Sequence, residues 1–236
     1  MSEPTPLRLA IGDALVRRGV DPAAAVGDLP EPDHDLYTRQ EILREAGEYA
    51  DKHIPARYAD AIADHPDVVD WLHRLLDLAI TNSVMNAQCA VKAGPSLLIL
   101  GLTGVGKTHQ AFGAIRLLSQ SGVRCAWKAI AAADLYAKLR PRHGVDSEKE
   151  FRALADAPLL LVDDLGAAKT SEWVEEVNYR LVNWRYERIL PTLFTSNVRP
   201  KELGASLGER VASRLIEMAE RVVLQGSDRR RAGSDR

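Results

Sequence analysis

The apolar residues of the chain change period along its length. Val68, Val69, Leu72, Leu75, Leu76, Leu78 and Ile80 recur at three- and four-residue spacing, which is the stripe of a helix, and residues 83–91 read as a second helix. At Ser96 the period disappears. Ser96-Leu97-Leu98-Ile99-Leu100 is a nearly continuous apolar run, as expected for a strand buried on both faces of a parallel sheet. Further strands are expected at residues 123–130, 158–162, 192–195 and 222–224. Between them lie helix-period segments at 108–119, 132–139, 148–154, 172–189 and 209–219. Strands alternating with helices predict βαβ units, hence an α/β fold with a parallel sheet sandwiched by helices. Residues 1–65 are helix-like but poor in core residues, and Pro22, Gly27, Pro30, Pro32 and Pro55 interrupt them. The expected organisation is a helical N-terminal extension over 1–65, a core over 66–231 and a tail over 232–236.

Composition narrows this picture. With 236 residues, 46% hydrophobic and 27% charged, the chain has the make-up of a globular protein with a substantial core. Cys89 and Cys125 stand alone, without the paired spacing of a zinc or redox site, and read as reduced thiols. The first residues lack a basic stretch followed by an apolar run, and no apolar stretch approaches spanning length, so a cytoplasmic location without a membrane partner is expected. The net charge of −2 conceals a division. Residues 1–65 carry 7 Lys/Arg against 13 Asp/Glu, residues 66–225 carry 20 against 18, and residues 226–236 carry 4 against 2. A near-neutral average therefore leaves room for nucleic-acid binding on the core, and the acidic leader is the candidate for contacting a protein partner.

The chemistry begins directly after the first apolar run. Gly101-Leu102-Thr103-Gly104-Val105-Gly106-Lys107-Thr108 fits G-x-x-x-x-G-K-[ST] between a strand and a helix. Its glycines let successive N–H groups turn inward around phosphate oxygens, and the helix N-terminus adds partial positive charge. Lys107 is expected to reach the β and γ phosphates of ATP, and the Thr108 hydroxyl to ligate Mg²⁺. The nucleotide-binding set is thus residues 101–108 with the adjoining His109. A second apolar run ends in Asp163-Asp164-Leu165-Gly166, at the carboxyl end of a strand where ligands gather in open α/β sheets. Asp163 is expected to hold Mg²⁺, and Asp164 to orient or deprotonate the attacking water. Thr195-Ser196-Asn197 closes another strand, where the Asn197 amide can bind the γ-phosphate or that water. Arg210 and Arg214 share a helix face, and either guanidinium suits a neighbouring subunit's nucleotide. Asp228-Arg229-Arg230-Arg231 places three more guanidiniums after the last strand.

These residues together resemble the AAA+ ATPases of the DnaC/DnaI helicase-loader group, with the transposition helper IstB as near relative. The resemblance runs from about residue 55 to 231. It rests on Ile54-Pro55-Ala56-Arg57-Tyr58, the phosphate loop as Walker A, 161–166 as Walker B, 195–197 as sensor I, and Leu207-Gly208-Glu209-Arg210-Val211 leading into Ser213-Arg214-Leu215. It implies a P-loop AAA+ core, ATP and Mg²⁺ as cofactors, Arg214 as arginine finger, Arg231 as sensor II, and assembly into a homo-oligomer. It further implies an ATPase that binds single-stranded DNA and a hexameric replicative helicase, with Lys138, Arg140 and Arg142 as candidate DNA-phosphate contacts. Asp164 stands where many AAA+ proteins have Glu, which implies slow turnover. An IstB-like transposition helper, or a nucleotide-gated adaptor with little hydrolysis, are the alternatives.

Overall fold

Five apolar runs become the strands of one sheet in the structure, a computed structural model that describes residues 32–86, 89–144, 146–167 and 171–226. They are β1 (Ser96–Gly101), β2 (Trp127–Ala131), β3 (Leu159–Asp163), β4 (Thr192–Ser196) and β5 (Ala219–Leu224). All neighbours are parallel and the order is β2-β3-β4-β1-β5. Leu97 pairs with Leu193 and Ile99 with Val222, which sets β1 between β4 and β5 and buries it on both faces. That environment accounts for its unbroken apolar run.

Helices cover both faces. In chain order they are α1 (Pro32–His53), α2 (Pro66–Asn86), α3 (Lys107–Ser119), α4 (Ala132–Leu139), α5 (Ser147–Ala155), α6 (Glu172–Glu187), α7 (Leu203–Leu207) and α8 (Glu209–Met218). One core layer joins α2 and α3 to the sheet through Trp71, Leu75, Ile115 and Leu118. Ala50, Ile54, Ala61 and Ala63 belong to the same layer, so the segment ahead of residue 65 shares this core. The other layer joins α4, α5, α6 and α8 to the sheet through Leu135, Phe151, Leu181, Phe194 and Leu215. Each fully buried side chain of this kind contributes about 1.5–3 kcal/mol. Among the described residues no helix is long and apolar enough to cross a membrane.

The structure departs from the apolar pattern in three places. The helix expected at 83–91 is not a second helix: α2 runs unbroken to Asn86, and Val91 donates its amide to the Arg124 carbonyl in an extended stretch. Arg124 donates in turn to the Cys89 carbonyl, and Ala90 bridges Arg124, so these amides are satisfied by a neighbouring segment rather than by a helix. For the same reason only residues 127–130 of the run expected at 123–130 join the sheet, in a strand that continues to Ala131. Finally, α6 stops at Glu187, because Ile189 takes a left-handed conformation (φ 53°) and its carbonyl accepts the Gly94 amide at 2.9 Å.

Candidate functional site

β1 delivers the chain into the phosphate loop, and α3 starts at Lys107. Gly106, the residue before α3, has φ 103°, a left-handed conformation that L side chains rarely adopt. At Gly101 a Cβ would meet the Leu224 carbonyl oxygen at 2.7 Å, so glycine there also permits the loop to sit close against the end of β5. Lys107 is 6% exposed, and its ammonium donates to the Gly101 and Leu102 carbonyls at 2.9 Å each. The cation is thereby held over the loop rather than free in solvent.

Beneath the loop lies a three-residue node. Thr108 Oγ1 donates to Asp163 Oδ1 at 2.9 Å, and Thr195 Oγ1 donates to the same oxygen at 2.5 Å. The Asp164 amide donates to Thr195 Oγ1 at 2.9 Å, and the Leu165 amide to the Thr195 carbonyl at 2.8 Å. Strand β4 thus positions both acidic residues at the end of β3. Burial pushes the Asp163 carboxyl above the usual carboxylate range; hydrogen bonds from Thr195 and Thr108 oppose this, Asp164 reinforces it and Lys107 opposes it. Asp164 is exposed and left-handed, with φ 55°, an uncommon geometry that turns it away from the strand direction.

These groups border a cleft of about 570 Å³. Of the expected nucleotide and catalytic residues, Thr103, Gly104, Gly106, Lys107, Thr108, His109, Asp164 and Asn197 line it. Asp163 reaches it through Thr108, Leu102 points outward at 64% exposed, and Val105 is buried under the loop. Besides Ala167, two cleft residues had no expected site role: Arg57 and Tyr58. In the sequence their only signal is the Ile54–Tyr58 stretch, which carries part of the family resemblance. Thr195 is visible in the sequence only as part of a motif, and its grip on Asp163 follows from strand order.

Other expected residues lie elsewhere. Arg214 does not line the cleft; Nε donates to Asn183 Oδ1 at 2.5 Å, and the guanidinium lies 5.4 and 5.3 Å from the Tyr179 and Tyr186 ring centroids. Arg210 is exposed and takes part in none of the ion pairs among the described residues. Arg231 and its two preceding arginines fall outside the described residues. Lys138 pairs with Glu150 at 2.9 Å, Arg140 lies 5.5 Å from the Trp173 ring centroid, and Arg142 donates to the Ala137 carbonyl.

A parallel sheet in this order, with a phosphate loop after β1, acidic residues after β3 and Asn197 after β4, defines a P-loop NTPase core of the AAA+ type. Comparison with known proteins bears on the particular branch. No family model matches the chain. The replicative helicase loader DnaI of Bacillus subtilis (strain 168) is 28% identical, over 58% of this chain and 48% of the relative. The chain therefore matches about half the length of that protein. A crystal structure of the DnaC helicase loader is 29% identical and covers 72% of this chain and 100% of its own, with a TM-score of 0.55. A crystal structure of DnaI, at 22% identity and TM-score 0.55, shares the fold over 75% of this chain and 94% of its own. The chain is thus similar to proteins described as helicase loaders of the DnaC/DnaI type.

Proposed function

We propose that the protein binds and hydrolyses ATP and acts in DNA replication by loading a hexameric replicative helicase onto single-stranded DNA. The observation that carries the chemical half is the Thr108–Asp163–Thr195 node beside Lys107, because it joins the phosphate loop to the strand ends that a nucleoside triphosphate must span. The replication half rests on similarity to proteins described as helicase loaders.

The donor set fits a magnesium-bound triphosphate. The loop glycines leave its amides open to phosphate oxygens, and the Thr108 hydroxyl and Asp163 carboxylate form a hard oxygen pair suited to Mg²⁺, which neutralises phosphate charge when bound. In this reading Lys107 leaves the loop carbonyls for the phosphates and Thr108 and Asp163 hold the cation. Asp164 then accepts a proton from the attacking water, which Asn197 orients. Thr195 keeps Asp163 in place. An arginine of α8 acts on the nucleotide of a neighbouring copy, so hydrolysis requires a homo-oligomer. Asp164 has a shorter arm than glutamate, which favours slow turnover, and single-stranded DNA is the expected stimulant. The basic loop around Lys138, Arg140 and Arg142 meets DNA phosphates once it releases its internal partners.

Purified full-length protein mixed with the replicative helicase of its host tests this reading. A complex formed with ATP and ATPase activity raised by single-stranded DNA are expected. A preference for duplex DNA and a transposase would instead favour the IstB-like alternative, and ATP binding without turnover the nucleotide-gated adaptor.

A further inference from the structure

Successive residues of β4 grip the turn after β3 from opposite faces of the sheet, as the two-residue alternation of a strand dictates. Thr195 holds Asp163 and the Asp164 amide on the α3 side, where Thr108 meets the same carboxylate. Ser196 is fully buried and pairs with Leu100, so it shares the opposite face with Leu100 and Phe194, both members of the layer beneath α6 and α8. Packing alone would place an apolar residue there, because a buried hydroxyl is unfavourable unless it is hydrogen-bonded. The Ser196 hydroxyl is bonded twice. It donates to the Leu165 carbonyl at 2.5 Å and accepts from the Val198 amide at 3.1 Å.

Those two bonds fall on either side of the cleft's acid and amide. Leu165 follows Asp164, and Val198 follows Asn197. The left-handed φ of 55° at Asp164 is unfavourable for a residue with a side chain and persists only where the surroundings hold it. Its own amide is tied to Thr195 Oγ1, the Leu165 amide to the Thr195 carbonyl, and the Leu165 carbonyl to Ser196. Asn197 in turn lies inside a turn that the Ser196 side chain closes onto the amide two residues on. Gly166 lets the two turns meet: at φ 85°, a Cβ added there would lie 2.6 Å from Val198 Cγ2. One buried oxygen thus joins the backbone beside Asp164 to the backbone beside Asn197, and both side chains line the cleft.

We propose that Ser196 is the positioning residue of the hydrolytic pair, holding Asp164 and Asn197 at the spacing that an attacking water bridges. This rests on the ATP-hydrolysis reading above, and the two can fail separately. The test measures ATP affinity, kcat with single-stranded DNA present and thermal midpoint for the full chain as wild type, Lys107→Ala, Ser196→Ala, Ser196→Thr, Asp164→Asn and the Ser196→Ala/Asp164→Asn double variant. For Ser196→Ala the expectation is an unchanged ATP affinity and a fall in kcat of about 10²-fold, the loss that a misplacement of about 1 Å produces. Ser196→Thr keeps the hydroxyl and should recover most of that turnover. The double variant should turn over barely more slowly than Asp164→Asn, because residues that act as a unit are not additive. Should Ser196→Ala fail to fold, Ser196→Cys fills the same space with a weak donor and carries the same expectations. Wild-type kcat in Ser196→Ala overturns the proposal. A kcat loss matched by lost ATP affinity, or losses that multiply in the double variant, also overturns it by making Ser196 a packing residue. Turnover that Lys107→Ala abolishes and Ser196→Ala keeps removes this proposal alone. A wild type that binds ATP without turning it over defeats the hydrolysis reading and this proposal with it.

Discussion

Gly113 and Ala63 stand so close that a Cβ added to Gly113 would lie 2.2 Å from the Ala63 amide nitrogen. The contact is backbone against helix, with Ile62 atoms at 2.3 and 2.9 Å as well, so no flexible side chain can yield. In Gly113→Ala the strap formed by residues 54–65, between α1 and α2, must lift from α3. Overpacking of this kind costs about 1–3 kcal/mol, partly offset by the better helix propensity of alanine. The expected outcome is a lower thermal midpoint together with weaker ATP binding, because Arg57 and Tyr58 move with the strap. An unchanged ATP affinity at reduced stability would separate the strap from the site.

The Asp163 node yields a pH dependence of definite sign. Burial raises this carboxyl above its unfolded value, so between the two pKa values the folded chain holds a proton that the unfolded chain has lost. Stability from this group therefore falls as pH rises through that window. If Asp163 holds Mg²⁺ as proposed, cation-assisted ATP binding needs the carboxylate and should strengthen through the same window. Thr195→Val removes the 2.5 Å donor, which raises the carboxyl further and moves the acid limb of Mg²⁺-dependent ATP binding to higher pH. Titrations of affinity against pH for the two proteins check this, and coincident acid limbs would refute the role given to Thr195.

Arg185 is fully buried, yet among the described residues no carboxylate pairs with it directly. Its guanidinium donates to Thr192 Oγ1 at 2.7 Å and to the carbonyls of Ala155, Ala157 and Pro191 at 2.9, 2.8 and 2.7 Å, pinning the end of α5 to the starts of β3 and β4. Burial lowers its pKa to about 9, so the charge persists at neutral pH. Arg185→Met leaves several buried carbonyls without donors and should destabilise the fold by about 3 kcal/mol or more. Arg185→Lys should fare little better, since three donors on a single atom cannot span these separate carbonyls. Urea unfolding measures both, and near-wild-type midpoints would show that water replaces the guanidinium.

The contrast between Lys107 and Arg185 explains what could be read from the chain alone. The phosphate loop is contiguous, and its glycines, Lys107 and Thr108 each have a chemical reason to be there, so spacing alone points to a candidate site. Strands β1 and β3 were equally legible because burial on both faces leaves an unbroken apolar run. Arg185 looks like any helix-surface cation, and only the crossing of α5, β3 and β4 makes it interior. The strap was hidden for a related reason. Its ties at Ile62, Asp64 and His65 use backbone amides, which are the same for every residue type, and Gly113 reads in sequence only as a weak point in a helix. Ile189 in a left-handed turn ran against its own propensity, so α6 appeared longer than it is.

The two arginines of α8 can be told apart by what they touch. Arg214 is half-buried against α6, bonded to Asn183 and flanked by Tyr179 and Tyr186, contacts that hold α8 to the rest of the core. Arg210 lies in the first turn of α8, exposed and outside the ion pairs among the described residues, as a guanidinium reserved for a neighbouring copy should be. The resemblance implies Arg214 as the finger; we propose Arg210 as the alternative, because its guanidinium is exposed and outside those ion pairs. Arg214→Ala should lower stability by about 1–2 kcal/mol through the lost hydrogen bond and ring contacts, and reduce activity only as far as the fold suffers. Arg210→Ala should keep the wild-type thermal midpoint and ATP affinity while turnover falls by about 10³-fold or more. Mixing Arg210→Ala with Lys107→Ala protein then supplies a decisive check, because an intact Arg210 from one copy can serve an intact phosphate loop in the next. Recovery of hydrolysis in the mixture is expected, and full turnover by Arg210→Ala alone would return the role to Arg214.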